Sequence, residues 1–284
     1  MTPLARSAPA LLLLAAPAAA QETPAWTEPT APFAITDNIY YVGTKGLAAY
    51  LIRGSAGLVL IDGTMAQNVP AIERNIAALG FRLSDVKLLL ASHAHFDHAA
   101  GLAQLKADSG ARLLASAGDR QALETGVPPS VVSYGVVKFP PVKVDGAVVD
   151  GRAVRLGDLS LRPTLTPGHT AGCTTWSVAS RYAGRAVQVV FPCSLTVAGN
   201  KLVGNRGYPG IVADYRRSFP RMAALQADVV LPFHPEAADV LTRAERQRAG
   251  DRTAFLAPGL LGRIVAESKA AFEAALATEE AAGK

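Results

Sequence analysis

A chain of 284 residues that is 50% hydrophobic and 18% charged can bury a sizeable core, which excludes a disordered or fibrous protein. The formal net charge of +5 is mild, and its carriers, such as Arg216, Arg217, Arg243, Arg246 and Arg248, are scattered among acids and apolar positions. They read as solvated helix faces, and no nucleic-acid partner is expected.

Residues 1–20 have the layout of a secretory signal peptide. Arg6 supplies a positive start, Ala8 to Ala16 forms a short apolar run, and Ala18-Ala19-Ala20 precedes Gln21. Cleavage near Ala20/Gln21 is expected, leaving 21–284 as a single domain. The apolar run is too short to span a bilayer, and no later stretch reaches the needed length, so no membrane association is expected after cleavage. No cysteine precedes Cys173 and Arg6 stands alone, which speaks against lipidation and twin-arginine export. The reading is general export to the periplasm.

A Pro-rich, loose lead is expected from Gln21 to Phe33. Short β-type runs follow at Ile39 to Val42, Ala48 to Ile52 and Leu58 to Ile61, separated by Gly-containing turns and read as a meander. Ala66 to Leu79 places Val69, Ile72, Ile76 and Leu79 at helical spacing before Gly80. Val86 to Leu90 reads as a buried strand, Ala99 to Lys106 as a helix ending near Gly110, and Ala111 to Ala115 as a strand. Gly126 to Gly146 has no clear period: it is either a loop overhanging a site or an ordinary surface connection. Further strands are expected at Val154 to Leu156, Ser160 to Leu165, Thr174 to Val178, Val187 to Phe191 and Val229 to Leu231, with helices at Ala213 to Leu225 and Leu260 to Leu276. Two β-rich halves, each with helices, suggest an α/β fold of two sheets between outer helix layers.

Directly after the strand at Val86 comes Ala91-Ser92-His93-Ala94-His95-Phe96-Asp97-His98, with four candidate metal ligands in six residues. In an extended strand-end loop residues two apart lie on one side, so His93, His95 and Asp97 are placed to converge. Imidazole nitrogens and a carboxylate suit zinc. The remaining two of the five histidines, His169 and His234, each follow an apolar strand and a proline, at strand ends where a site can be assembled. Either alone would pass as a polar turn residue.

The run from His93 to His98 resembles the metal motif of the metallo-β-lactamase superfamily, and Ala49 to Ile52 followed by Val59 to Gly63 resembles its opening strands. The resemblance implies a four-layer αββα sandwich. It implies two zinc ions, one held by His93, His95 and His169 and the other by Asp97, His98 and His234. Asp62 is either a support behind these residues or a plain Asp-Gly turn. Superfamily members open lactams, thioesters, lactones and phosphodiesters, so the fold alone does not select the substrate. Thioesterases of the glyoxalase II kind, lactonases and nucleases typically place a bridging aspartate after the strand that follows the third histidine; Val189 to Thr196 offers no acid. Six metal-binding side chains without that acid resemble the class B β-lactamases. A histidine in place of a cysteine ligand on the second zinc resembles their third subclass.

The implied activity is hydrolysis of the β-lactam ring of penicillins, cephalosporins and carbapenems by activated water, with Asp97 orienting the nucleophile. Ser194 and Thr196 match hydroxyls that grip the substrate carboxylate. Asn200 falls where some members carry a tyrosine directed at the oxyanion, a departure at which an amide can still donate. A monomer acting on a small molecule is expected. The alternatives are a thioesterase or lactonase of the same fold, and an exported zinc-binding protein without turnover. Cys173 and Cys193 end what reads as a hairpin centred on Ala183, and export favours a disulfide between them. The rivals are Cys193 as a metal ligand and two buried free thiols.

Overall fold

The computed structural model describes residues 23–133 and 135–283; the expected signal segment at 1–20 lies outside them. Four short strands, β1 (Phe33–Ala34), β2 (Ile39–Tyr41), β3 (Tyr50–Gly54) and β4 (Gly57–Ile61), form the antiparallel part of a seven-stranded sheet. β5 (Val86–Leu90), β6 (Arg112–Ser116) and β7 (Gly146–Val148) extend it in parallel. Parallel neighbours need a crossover, and α1 (Val69–Ala78), α2 (Phe96–Ala99), α3 (Leu102–Ser109) and α4 (Ala117–Thr125) lie in these connections. The second sheet has five strands: β8 (Val154–Leu156), β9 (Leu159–Leu165), β10 (Thr174–Tyr182) and β11 (Arg185–Phe191) are antiparallel. β12 (Val229–Val230) joins β11 in parallel after α5 (Ile211–Ala223), and α6 (Val240–Arg248) and α7 (Leu260–Ala282) close the described chain.

The period of two along the strands sorts the core into layers. Tyr50 and Ile52 of β3, Val59 and Ile61 of β4, and Leu88 and Leu90 of β5 meet Trp176, Val178, Val189 and Phe191 from the other sheet. The intervening Leu51, Leu60 and Leu89 turn the other way and pack on Val69, Ile72 and Ile76 of α1 and on Leu102 and Leu105 of α3. On the outer face of the second sheet, Val190 and Val230 meet Ile211, Tyr215, Phe219 and Met222 of α5 and Leu261, Val265, Phe272 and Leu276 of α7. The order is helix, sheet, sheet, helix. Each fully buried aliphatic or aromatic side chain contributes roughly 1.5–3 kcal/mol, which is why the layers stay together.

Several expected elements differ in detail. The helix expected from Ala66 begins as a 3-10 turn over Ala66–Asn68, because Pro70 at the start of α1 has no N–H to give. The helix expected over Ala99 to Lys106 is two helices, broken where Gly101 presses on Gly63; a Cβ on Gly101 would stand 2.2 Å from the Gly63 carbonyl oxygen. The lead to Phe33 is ordered from residue 23, with a 3-10 turn at Pro24–Trp26. α4, α6 and β7 had no sequence signal. Cys173 and Cys193 form a disulfide across the ends of the β10–β11 hairpin, with Cα atoms 5.8 Å apart. Its turn is Ala183-Gly184, both at positive φ. No helix among the described residues is long and apolar enough to cross a membrane.

Candidate metal centre

All five histidines gather at one end of the sheets, where β5, β9, β11 and β12 give way to loops. His93 and His95 leave β5 in extended conformation. That alternation stops at His95, because Phe96 begins α2 and puts Asp97 and His98 side by side in a helical turn. His169 joins His93 and His95, the grouping that the family resemblance implies, while Asp97 falls with His98 and His234. His93, His95 and His169 bring one donor atom each within 4.8 Å of one another, and so do Asp97, His98 and His234. His95 Nδ1 lies 3.0 Å from His169 Nε2, and His98 Nε2 lies 3.2 Å from His234 Nε2. Asp97 Oδ2 faces both of the latter, at 3.1 and 3.3 Å.

Outer contacts decide which nitrogen of each ring faces inward. His93 Nδ1–H donates to Ser92 Oγ at 2.9 Å, and that hydroxyl donates to Asp62 Oδ2 at 2.6 Å, so the His93 Nε2 lone pair points into the site. This buried nitrogen has no hydrogen-bond partner. His169 Nδ1–H donates to the Thr196 carbonyl at 2.7 Å, leaving its Nε2 as a lone pair. His98 Nδ1 stands 3.4 Å from Asp62 Oδ2 without a hydrogen bond to it. Asp62 is thus a support and no mere turn: fully buried, it also accepts from the Ser92 amide at 2.7 Å. Its backbone and that of Thr64 are at positive φ, strain that persists where the surroundings enforce it. Tyr50 Oη fixes the His234 loop by donating to the Pro232 carbonyl at 2.7 Å.

The charge balance also suits a cation. Burial holds His93 and His169 well below the usual histidine range and His95 at about 4, so these rings are neutral. Burial pulls His98 the same way, yet Asp97 and Asp62 outweigh it and hold it at about 10. Burial opposes ionisation of Asp97 too, but His98 and His234 win and keep it well below the carboxylate range. The side of the pocket beside Asp97 and Asp62 thus favours positive charge, while the three neutral rings keep lone pairs free to bind an ion. An unpartnered Nε2, two convergent groups and buried carboxylates fit a metal. The thiols of Cys173 and Cys193 lie close to His93 but are joined to each other, so the rival reading of Cys193 as a ligand is overturned.

A cleft of about 460 Å³ opens onto His93, His98 and His234, lined by Trp26, Ser194, Thr196, Phe233 and Ile264. Trp26, which sequence reasoning missed inside a Pro-rich lead, sets its ring 5.6 Å from that of His234 and 6.1 Å from Phe96. In the segment between Gly126 and Gly146, Pro128, Val132 and Val136 line a small pocket with His95 and Phe96, which places that segment beside the site. Ser194 Oγ and Thr196 Oγ1 are 3.0 Å apart on the cleft wall. Asn200 differs from expectation. It is buried, its amide N–H groups donate to the His169 and Val197 carbonyls at 3.1 and 2.8 Å, and its oxygen accepts from Ser130 at 2.6 Å. The amide holds the His169 loop and has no donor left for an oxyanion.

The family profile described as Metallo-beta-lactamase superfamily matches residues 46–234. The chain belongs to that superfamily. Among solved structures of superfamily enzymes, BJP-1, a subclass B3 metallo-beta-lactamase of Bradyrhizobium japonicum, is 42% identical, with 92% of this chain and 99% of that chain covered and a TM-score of 0.87. MEM-A1, a subclass B3 metallo-beta-lactamase from a soil metagenome library, is 36% identical over 91% of this chain and all of that one, at a TM-score of 0.85. A metallo-beta-lactamase of Cronobacter sakazakii with a HARLDQ motif is 40% identical over 90% and 98% of the two chains, also at 0.85. Curated superfamily relatives include the hydroxyacylglutathione hydrolases of Methylococcus capsulatus, 34% identical over 125 residues, and Acidiphilium cryptum, 27% over 186. Those matches cover 43% and 64% of this chain, and the chain spans only 40% and 61% of the two relatives.

Proposed function

We propose that this chain is a periplasmic hydrolase that opens the β-lactam ring of penicillins, cephalosporins and carbapenems with two zinc ions. The observation that carries the reading is the pair of three-donor groups on one cleft, His93, His95 and His169 beside Asp97, His98 and His234, with no acid on the segment leaving β11. The likeness to subclass B3 metallo-beta-lactamases supports the substrate class. When bound, zinc polarises a carbonyl and makes water acidic enough to attack near neutral pH.

The chain's own groups do the rest. Asp97, held ionised, accepts a proton from the attacking water or orients it by hydrogen bonding. Ser194 and Thr196 donate to the substrate carboxylate from the cleft wall, which Trp26 also lines. The proposal includes removal of residues 1–20, a single domain over 21–284 and action as a monomer.

The test is hydrolysis of a chromogenic cephalosporin and a carbapenem by the chain from Gln21, with chelator and with zinc restored. Turnover that chelation stops and zinc restores is the expected result. Zinc-loaded protein that leaves both drugs intact but cleaves a hydroxyacyl thioester of glutathione would transfer the reading to the second candidate, which the partial match to hydroxyacylglutathione hydrolases favours.

A further inference from the structure

Asp119 belongs to neither donor group, yet it is the buried carboxylate through which the two halves of the first group are connected. It stands in the first turn of α4, 3% exposed. Its Oδ2 accepts from the Ala94 amide at 2.9 Å and from Thr170 Oγ1 at 2.8 Å, and its Oδ1 accepts from the Gly172 amide at 2.9 Å. Ala94 lies between His93 and His95, and Thr170 follows His169, so one carboxylate oxygen bridges the two loops that carry all three imidazoles. The contact has no slack. A Cβ on Gly172 would stand 2.2 Å from Ser116 Oγ and 2.4 Å from the Asp119 amide nitrogen, and one on Gly118 would stand 2.3 Å from the Ala171 carbonyl oxygen.

Geometry alone demands a carboxylate here. Three donors converge on two oxygens, and an asparagine would turn an amide N–H₂ toward at least one backbone N–H. Asp119 makes no such contact with the second group: His98 stands beside Asp62, and the His234 loop is held by Tyr50. We propose that Asp119 is a positioning residue that sets the spacing of the two loops and so how tightly His93, His95 and His169 hold their ion. The inference rests on the metal reading above and says which of the two ions depends on Asp119.

The experiment is a site-resolved ion titration. Metal-free wild type, Asp119→Asn, Thr170→Val and His169→Ala are titrated with zinc by calorimetry and with cobalt(II) by visible absorption, and folding is checked by circular dichroism. Asp119→Asn is expected to weaken one of two binding events by roughly 10- to 100-fold, the range for loss of a contact behind the ligands. The event should be the one that His169→Ala abolishes, and the other should be unchanged. Thr170→Val, which keeps two of the three bonds, should weaken the same event less. Folded Asp119→Asn that binds both ions as wild type does, or loses affinity for both equally, overturns the proposal. Should Asp119→Asn not fold, Thr170→Val decides: unchanged binding by it overturns the proposal, and selective weakening supports it. Wild type that takes up no ion overturns the metal reading itself, a result distinct from wild-type uptake that Asp119→Asn leaves intact.

Discussion

Replacing Cys173 and Cys193 together by alanine should remove about 5 kcal/mol of stability from the metal-free protein. The bridge spans a sequence separation of 20 residues. Closing a loop of that size removes about 3 kcal/mol of conformational freedom from the unfolded chain. Both cysteines are buried, at 0% and 2% exposure, so trimming each sulfur leaves a methyl-sized void costing about 1 kcal/mol more. Urea unfolding after chelation is the assay, because a metal bound only by the folded state would mask the change. At a slope near 2.5 kcal/mol per molar urea, the midpoint should fall by about 2 M. Wild type reduced by a dithiol keeps its sulfurs and should lose only the loop contribution, just over 1 M. A double variant whose midpoint falls by less than about 0.4 M would refute the reasoning.

Three further outcomes follow from the site. His169→Ala should nearly abolish hydrolysis of the cephalosporin while the far-ultraviolet dichroism stays that of wild type, since the three core clusters lie away from its ring; near-normal turnover would remove His169 from the proposed ligands. Ser194→Ala with Thr196→Val should raise KM roughly 10-fold, the loss of about 1.5 kcal/mol of charge-assisted hydrogen bonding, with kcat little changed; an unchanged KM would put the substrate carboxylate elsewhere. In metal-free protein His98 titrates at about 10 instead of its ordinary 6.5, so its contribution to stability is complete below pH 6.5 and is lost as pH rises through about 10. The unfolding free energy measured in urea should therefore decline from pH 7 to 10, by at most about 1.4 kcal/mol per pH unit, and a flat profile after chelation would contradict the charge balance described.

The parts of the fold that were legible are those whose signal is carried by apolar side chains. Strands such as β5, with Val86, Leu88, Leu89 and Leu90 buried, announce themselves because both faces are covered. α4 and α6 do not: α4 buries only Asp119, Ala122 and Leu123, and α6 only Val240 and Ala244, too few apolar positions to set a period. The histidine cluster was plain from its spacing, whereas the division of its members into two groups came only with the family resemblance, because alternation along an extended loop does not show that Phe96 starts a helix and sets Asp97 beside His98. Asn200 has the right residue type for an oxyanion donor; only its burial between Ser130 and the His169 carbonyl shows that the amide is engaged. Trp26 and Asp119 reach the site from far away in sequence, with no motif around them.

The two donor groups draw on widely separated parts of the chain: His95 and His169 are 74 residues apart, and His98 and His234 are 136 apart. A chain made only through the first sheet therefore holds fragments of each group but neither one whole. The segment His93 to His98 emerges early, and His234 only after β12 has been made and laid beside β11. Both complete groups therefore require elements of the two sheets together, with His169 following β9 and His234 following β12. A complete set of donors thus certifies a chain made through His234, and a chain truncated before that residue would lack the second group however well its first sheet folded.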